Sequence, residues 1–259
     1  MRIFSLLLIA ALLPLASQPT ETIPAIPVSA TNEQGAAIAK AKDGQIRWKN
    51  RWTMERTSLE GKPVIRFTET GEGFHSPFTQ EVRWTILSWW TNSVSLLPLR
   101  SESTYTDAMG NKLAQETRSF DWSRKQVRIE RTDSKKKSTN QMLSIPADTL
   151  SVDGIARILQ RLEFSRTVPF SAHLLTNEPK VYDISLEVRG KEKIQTKAGM
   201  VDCYRVELVP HVGLLNAFRF LYPKAYFWFR EDSPHNWMRY EGLENGPGSP
   251  EIVMEMAMP

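Results

Sequence analysis

Strict alternation of apolar and polar residues begins at Ile46. In IRWKNRWTMER the residues Ile46, Trp48, Trp52 and Met54 share one face, Arg47, Lys49, Arg51 and Glu55 share the other, and Asn50 interrupts the apolar row. A period of two over this length predicts a half-buried β-strand. Gly61-Lys62-Pro63 turns the chain into VIRFTET as a hairpin partner, and Gly71, Gly73 and Pro77 then predict a loop that carries His75. In EVRWTILSWWT, Val82, Trp84, Ile86 and Trp90 alternate, while Val82, Ile86 and Trp89 also fit one face of a helix. The β-branched and aromatic content favours a strand. From Leu99 to Asp133, turns at Gly110-Asn111 and Ser123-Arg124-Lys125 separate three strands. These are rich in polar residues such as Glu102, Thr104, Gln115, Thr117 and Arg118, as a meander with one wet face allows.

The period changes once. In DTLSVDGIARILQRLEF, Val152, Ile155, Ile158, Leu159 and Leu162 form one apolar stripe, Asp148 or Ser151 can cap the first turn, and Asp153, Arg157, Gln160 and Arg161 are expected to face out. A lone amphipathic helix between runs of strands must bury its stripe on a sheet. After Pro169 the strands resume as FSAHLL, KVYDISLEVRG, KEKIQTKAG and VDCYRVEL. In VDCYRVEL, Tyr204, Val206 and Leu208 point one way, with Arg205 and Glu207 on the solvent side. AYFWFR, Ala225 to Arg230, is apolar on both faces and reads as a strand covered on both sides. NWMRYEGLE is its hairpin partner, and EIVMEMAM places Ile252, Met254, Met256 and Met258 in a row that suits either a lipid-facing edge or a core.

Composition changes this picture in three places. Eight Trp in 259 residues serve either a β-core or a surface that holds amphiphiles or sugars. The formal charge of +4 permits attraction to anionic headgroups, but the basic residues do not concentrate on one element as nucleic-acid binding requires, and Lys135-Lys136-Lys137 reads as a solvated hairpin tip. Met1 to Gln18, MRIFSLLLIAALLPLASQ, has one positive charge before a short apolar run, the pattern of a secretory signal peptide. The run is too short to span a membrane, and no cysteine stands near it to carry a lipid anchor. The expected organisation is a signal peptide over 1–18, an extended linker over 19–44 with at most two turns of helix in its Ala36 to Ala41 patch, and one β-rich domain over 45–259. The expected location is the periplasm.

Candidate chemistry is sparse. His75, His173, His211 and His235 lack metal-ligand spacing, and Cys203 has no partner for a disulfide or a zinc site. No nucleophile elbow, phosphate-cradling loop or dinucleotide fingerprint occurs. Carboxylate pairs such as Glu241 and Glu244 show no sign of converging on one bond. The sequence therefore points to no catalytic residue, metal or cofactor, and to a protein that is not an enzyme.

One resemblance adds to this. The Asp148 to Ser151 word with Arg157, the run from Ala198 to Leu208, FWFREDSPHNWMRYE, and upstream LLPLRSESTYTDAMG and SFDWSRKQV together resemble exported bacterial proteins of the domain of unknown function 3108 family, over about Leu96 to Glu255. The resemblance implies a mainly β fold: a curved antiparallel sheet, or half-barrel, with one amphipathic helix on the concave face, similar to periplasmic lipoprotein carriers. The family has no settled activity, so no residue role carries over from it. The expected function is binding of a lipid or other amphiphile in the hollow, in the envelope of a Gram-negative bacterium, with Trp48, Trp52, Trp84, Phe227, Trp228 and Trp237 as lining. The alternative is a module that binds a glycan or an envelope protein through exposed aromatics, for instance around Trp237 and Asn236.

Overall fold

The computed structural model describes residues 33–93, 96–135, 137–165, 167–196, 199–211 and 223–257. The expected signal peptide, Met258 and residues 19–32 of the expected linker lie outside these. The alternation at Ile46 opens a long antiparallel meander: β1 (Glu33–Ala41), β2 (Ile46–Leu59), β3 (Lys62–Gly73), β4 (Val82–Thr91), β5 (Pro98–Thr106), β6 (Lys112–Asp121), β7 (Gln126–Asp133) and β8 (Ser138–Ser144). After the short β9 (Thr149–Ser151) and a helix, α1 (Ile155–Leu159), a second run follows. It consists of β10 (Phe170–Leu175), β11 (Val181–Thr196), β12 (Gly199–His211), β13 (Ala225–Arg230), β14 (Trp237–Leu243) and β15 (Glu251–Met256). β15 pairs antiparallel with β1, so both runs join in one fifteen-stranded sheet whose ends are β8 and β9. The β9–β10 pair is parallel.

Period two decides burial as expected. In β2, Trp48, Asn50, Trp52 and Met54 are buried and the residues between them are not, while in β4 the same holds for Val82, Trp84, Ser88 and Trp90. Ile46, at the strand end, stays exposed. The Ala-rich patch expected as linker and marginal helix is instead β1, near the middle of the sheet. Its inner positions are small because bulky partners lie opposite: Gly35 faces Trp52, Ala37 faces Asn50, and Ala39 faces Trp48. A Cβ at Gly35 would overlap the Trp52 ring, and one at Gly71 would overlap Trp84. Trp rings therefore lie across glycines on neighbouring strands.

The helix is shorter than its stripe predicts. Thr149 to Ser151 leave it to pair with β10, and Gly154, at φ 73°, holds a left-handed conformation that ends any helical run before Ile155. Neither Asp148 nor Ser151 caps it, since Gly154 occupies that position, and Asp148 instead accepts from His173 Nδ1 at 2.7 Å. The stripe itself survives: Ile155, Ile158, Leu159 and Leu162 are buried in a cluster with Phe227, Phe229 and Trp237. The polar side does not face out. Arg157 is buried, with its guanidinium 3.6 Å from the centroid of Trp52, and Asp153 accepts from Ser101 Oγ at 2.8 Å. That side meets the opposite half of the sheet, where Trp52 and Ser101 supply polar-tolerant partners.

The unpaired ends of the sheet approach one another through side chains. Val127 and Ile129 of β7 pack with Ile145 and with Leu175 of β10. Glu116 accepts from Arg118 Nε at 2.7 Å and from Arg131 Nε at 2.8 Å, and both guanidinium groups also donate to the Asn177 carbonyl in the β10–β11 turn. The curl of the sheet is thus held by an ion-pair clasp rather than by a β8–β9 ladder.

Candidate functional site

The inner face differs between the two runs. On β10 to β15 it carries Phe170, Ile184, Leu186, Val206, Phe227, Phe229, Tyr240 and Met254, all in or against one apolar cluster with α1. On β2 to β6 the same alternation delivers Asn50, Glu69, Ser88, Ser101, Ser103, Tyr105, Glu116 and Arg118 among the aromatics. Register proves that these polar residues share a face: Ser88 stands opposite Ser101, Ser101 opposite Arg118, and Ser103 opposite Glu116. Ser88 and Ser101 hydroxyls meet at 3.3 Å, and Trp84 Nε1 donates to Glu69 at 2.9 Å.

Glu69, His75, Tyr105 and Tyr240 are half-buried, and burial is the largest influence on the ionisation of each. Burial pushes the Glu69 carboxyl up; hydrogen bonds from Trp84 and Asn50 offset part of this, and the Asp153 charge adds to it. No ion pair to Glu69 occurs among the described residues. Burial also raises both tyrosines and pulls the His75 imidazole down, against the nearby charge of Glu244. His75 itself packs against Trp84, Trp48 and Tyr105, with centroids 4.8, 5.7 and 5.9 Å away, so the β3–β4 loop packs over this part of the inner face.

Glu244 holds that loop. Its buried carboxylate accepts from Arg47 Nε at 3.3 Å and Nη2 at 3.1 Å, from Ser76 N at 3.0 Å, and from Trp48 Nε1. Burial alone would raise its pKa, but Arg47, Ser76 and Trp48, with the charge of His75, outweigh it and the net shift is downward. Glu241 takes a different partner, Arg239, so Glu241 and Glu244 do not act as a pair.

The six aromatics expected as lining are all buried, in four clusters rather than around one hollow. Trp48 and Trp84 meet edge to face at 5.7 Å; Trp52 stacks with Phe67; Phe227 and Trp237 belong to the apolar cluster with α1. Trp228 lies on the other face, because it follows Phe227 directly in a strand, and it packs with Ile194, Cys203 and Met238. Among the described residues no second layer of strands or helices covers that outer patch. Arg239 lies 5.5 Å over Trp228 and Arg205 5.2 Å over Tyr226, so long cationic stems do the covering. Glu207, expected on the solvent side with Arg205, is buried there and pairs with Arg189 at 2.6 Å. Cys203 is free and buried, and burial pushes its thiol up to about 11. The glycan site expected at Trp237 has no exposed ring, since Trp237 is 3% exposed.

The polar inner residues were visible in the sequence as the polar strands from Leu99 onward, but period two gives one wet face without saying whether it is the inner or the outer one. Two clefts, of about 420 and 600 Å³, open elsewhere, across β1 to β4, and share Lys49, Glu72 and Arg83. These three stand in one register row of outward side chains, so both clefts are charged grooves on the outer face. Among the described residues no group of three or more His, Cys, Asp or Glu has the arrangement of a metal site, and no helix is long and apolar enough to cross a membrane.

The family described as "Protein of unknown function (DUF3108)" matches residues 46–246, and the chain belongs to that family. No curated protein matches the chain. Among solved structures it is similar to a beta-barrel-like protein of the domain of unknown function DUF1849 from Brucella abortus, at 7% identity and TM-score 0.47, covering 92% of this chain and 96% of that one. It is also similar to a protein from Bacteroides fragilis with a YmcC-like fold, at 8% identity and TM-score 0.33, covering 90% and 97%. A protein from Parabacteroides distasonis, named as a candidate lipoprotein, matches at 10% identity and TM-score 0.33, covering 91% and 98%.

Proposed function

We propose that the chain is an exported, non-enzymatic protein of the bacterial envelope that holds an amphiphile inside its curved sheet, with α1 on the concave face beside the ligand. The observation that carries this reading is the set Glu69, His75, Tyr105 and Tyr240: polar groups that are half-buried, with burial the largest cause of each one's shift. Half-buried Ile86, Met254 and Met256 offer apolar surface near the same groups, and Met256 touches apolar clusters of both runs. An amphiphile fits an interior that is apolar on one wall and polar on the other. Its acyl part would lie along Tyr240, Met254 and Met256. Its head would donate hydrogen bonds to Glu69, which lacks a cation partner among the described residues.

The test is native mass spectrometry and solvent extraction of the full chain purified from a bacterial periplasm, followed by titration with dodecylamine, lysophosphatidylethanolamine and a fatty acid, read by Trp fluorescence. A co-purifying amphiphile, or saturable binding that Glu69→Leu weakens at least tenfold, supports the reading. An unliganded protein that binds none of the three probes overturns it.

A further inference from the structure

The two ends of the sheet are finished differently. At one end β9 is three residues long and covered, with Thr149, Leu150 and Ser151 all buried. At the other end β8 runs for seven residues, Ser138 to Ser144, and every residue but Leu143 is exposed. No described strand pairs with its second edge.

Which backbone groups that edge presents follows from the ends of the β7–β8 hairpin. The Lys137 carbonyl accepts from Asp133 N at 3.2 Å, and Ile145 N donates to the Lys125 carbonyl at 2.8 Å. Between these points the register runs without a bulge. Odd-numbered residues therefore bond toward β7, and Ser138, Asn140, Met142 and Ser144 direct both N–H and C=O to the open edge. Soluble proteins blunt such an edge with charges, prolines, bulges or a covering segment. The strand STNQMLS has no charge and no proline, and Met142 is 56% exposed on it.

We infer that this edge is a self-association surface, on which two copies of the chain pair β8 with β8, antiparallel, about a two-fold axis at Gln141. In that register Ser138 meets Ser144 and Asn140 meets Met142, so every residue of the open edge finds a partner. The charges are compatible with a second copy in this orientation: Arg128 and Glu130, beside Met142 and Asn140, pair with each other at 2.6 Å within each copy, so no unpaired like charges meet across the junction. Antiparallel pairing also sends the Lys135 and Lys137 tips to opposite ends, whereas parallel pairing would set them side by side. This surface is independent of the interior space.

The axis gives a sharp test. Gln141 would face its own symmetry mate as a non-hydrogen-bonded pair, with Cα atoms about 4.5 Å apart, a distance a disulfide can bridge. Gln141→Cys in the full chain is expected to form an intermolecular disulfide under mild oxidation, and Met142→Cys is expected not to, because its counterpart is Asn140. Sedimentation velocity over a wide concentration range should show a dimer in the parent chain. That dimer should be lost in Asn140→Lys and in Met142→Pro, which removes only an edge N–H and leaves the β7–β8 ladder intact. Circular dichroism and thermal melting unchanged from the parent establish that both variants are folded. A parent chain that is monomeric at every concentration overturns the inference, as does a dimer that persists in both folded variants.

Discussion

The run from β10 to β15 and the run from β2 to β6 are built by the same alternation, yet their inner faces differ. In the first, the buried inner positions are apolar, and α1 places Ile155, Ile158 and Leu159 in one cluster with Phe227 and Phe229. In the second, Glu69, Ser101, Ser103, Tyr105 and Glu116 replace apolar residues at inner positions, and Arg157 of α1 and Asp153 just before it face them instead of the apolar stripe. A helix with two unlike sides thus faces two unlike walls. Apolar packing and buried polar groups are assigned to different parts of one sheet.

The comparison breaks most sharply under truncation. Phe229→Ala, in the filled run, is expected to lower unfolding free energy in urea by about 3–5 kcal/mol, because Phe229 is fully buried and its cavity cannot collapse. Arg118→Ala, at the clasp, is expected to cost less, roughly 1–3 kcal/mol, because Glu116 keeps Arg131 as a partner. Arg118→Met, which keeps the stem, should not recover that loss, whereas a clasp without energetic weight would leave both variants near the parent. Ser101→Ala, in the polar run, should stay within about 1.5 kcal/mol of the parent, since only hydroxyl bonds to Ser88 and Asp153 go. A loss as large as that of Phe229→Ala would mean that the polar run is a packed core after all.

Acidity sharpens the comparison further, because Glu69 and His75, on the side of the polar run, shift in opposite directions. Glu69, raised in the folded state, favours folding most below its ordinary value of 4.5, and that advantage is lost as pH rises through the folded value. Its replacement, Glu69→Gln, should therefore raise the melting temperature at pH 8 relative to the parent and not at pH 4. His75, lowered in the folded state, gives full stability above its ordinary 6.5 and loses it as pH falls toward the folded value. His75→Phe should flatten the stability profile between pH 6.5 and the folded value. The smallest expected effect is chemical: Cys203, buried and raised to about 11, should resist iodoacetamide at pH 8 until denaturant is added, as peptide mass spectrometry would show.

Much of this arrangement was legible in residue spacing. Trp48, Trp52, Trp84 and Trp90 announced their buried faces by period two alone, and the three polar strands after Leu99 fell where the turns at Gly110 and Ser123 placed them. The candidate site was less legible. Consecutive residues such as Phe227 and Trp228 cannot share a face, so listing both as lining joined two surfaces that the pleat separates. The inner Glu69 looked like any other charge on a β-strand, because nothing local distinguishes a wet outer face from a wet inner one.

The sequence by itself determined which residues share a face, because the β-pleat alternates at every second residue whatever the chain later packs against. It also carried the family words and the apolar stripe from Ile155 to Leu162. Tertiary structure alone decided which face became the inside, that an Ala-rich segment would pair with a strand more than 200 residues away, from Ala37 to Met256, and that Gly154 would cut the helix short. Those outcomes rest on contacts distant in sequence: Trp rings need small partners opposite them, and a polar helix side needs a polar wall. No local period encodes either.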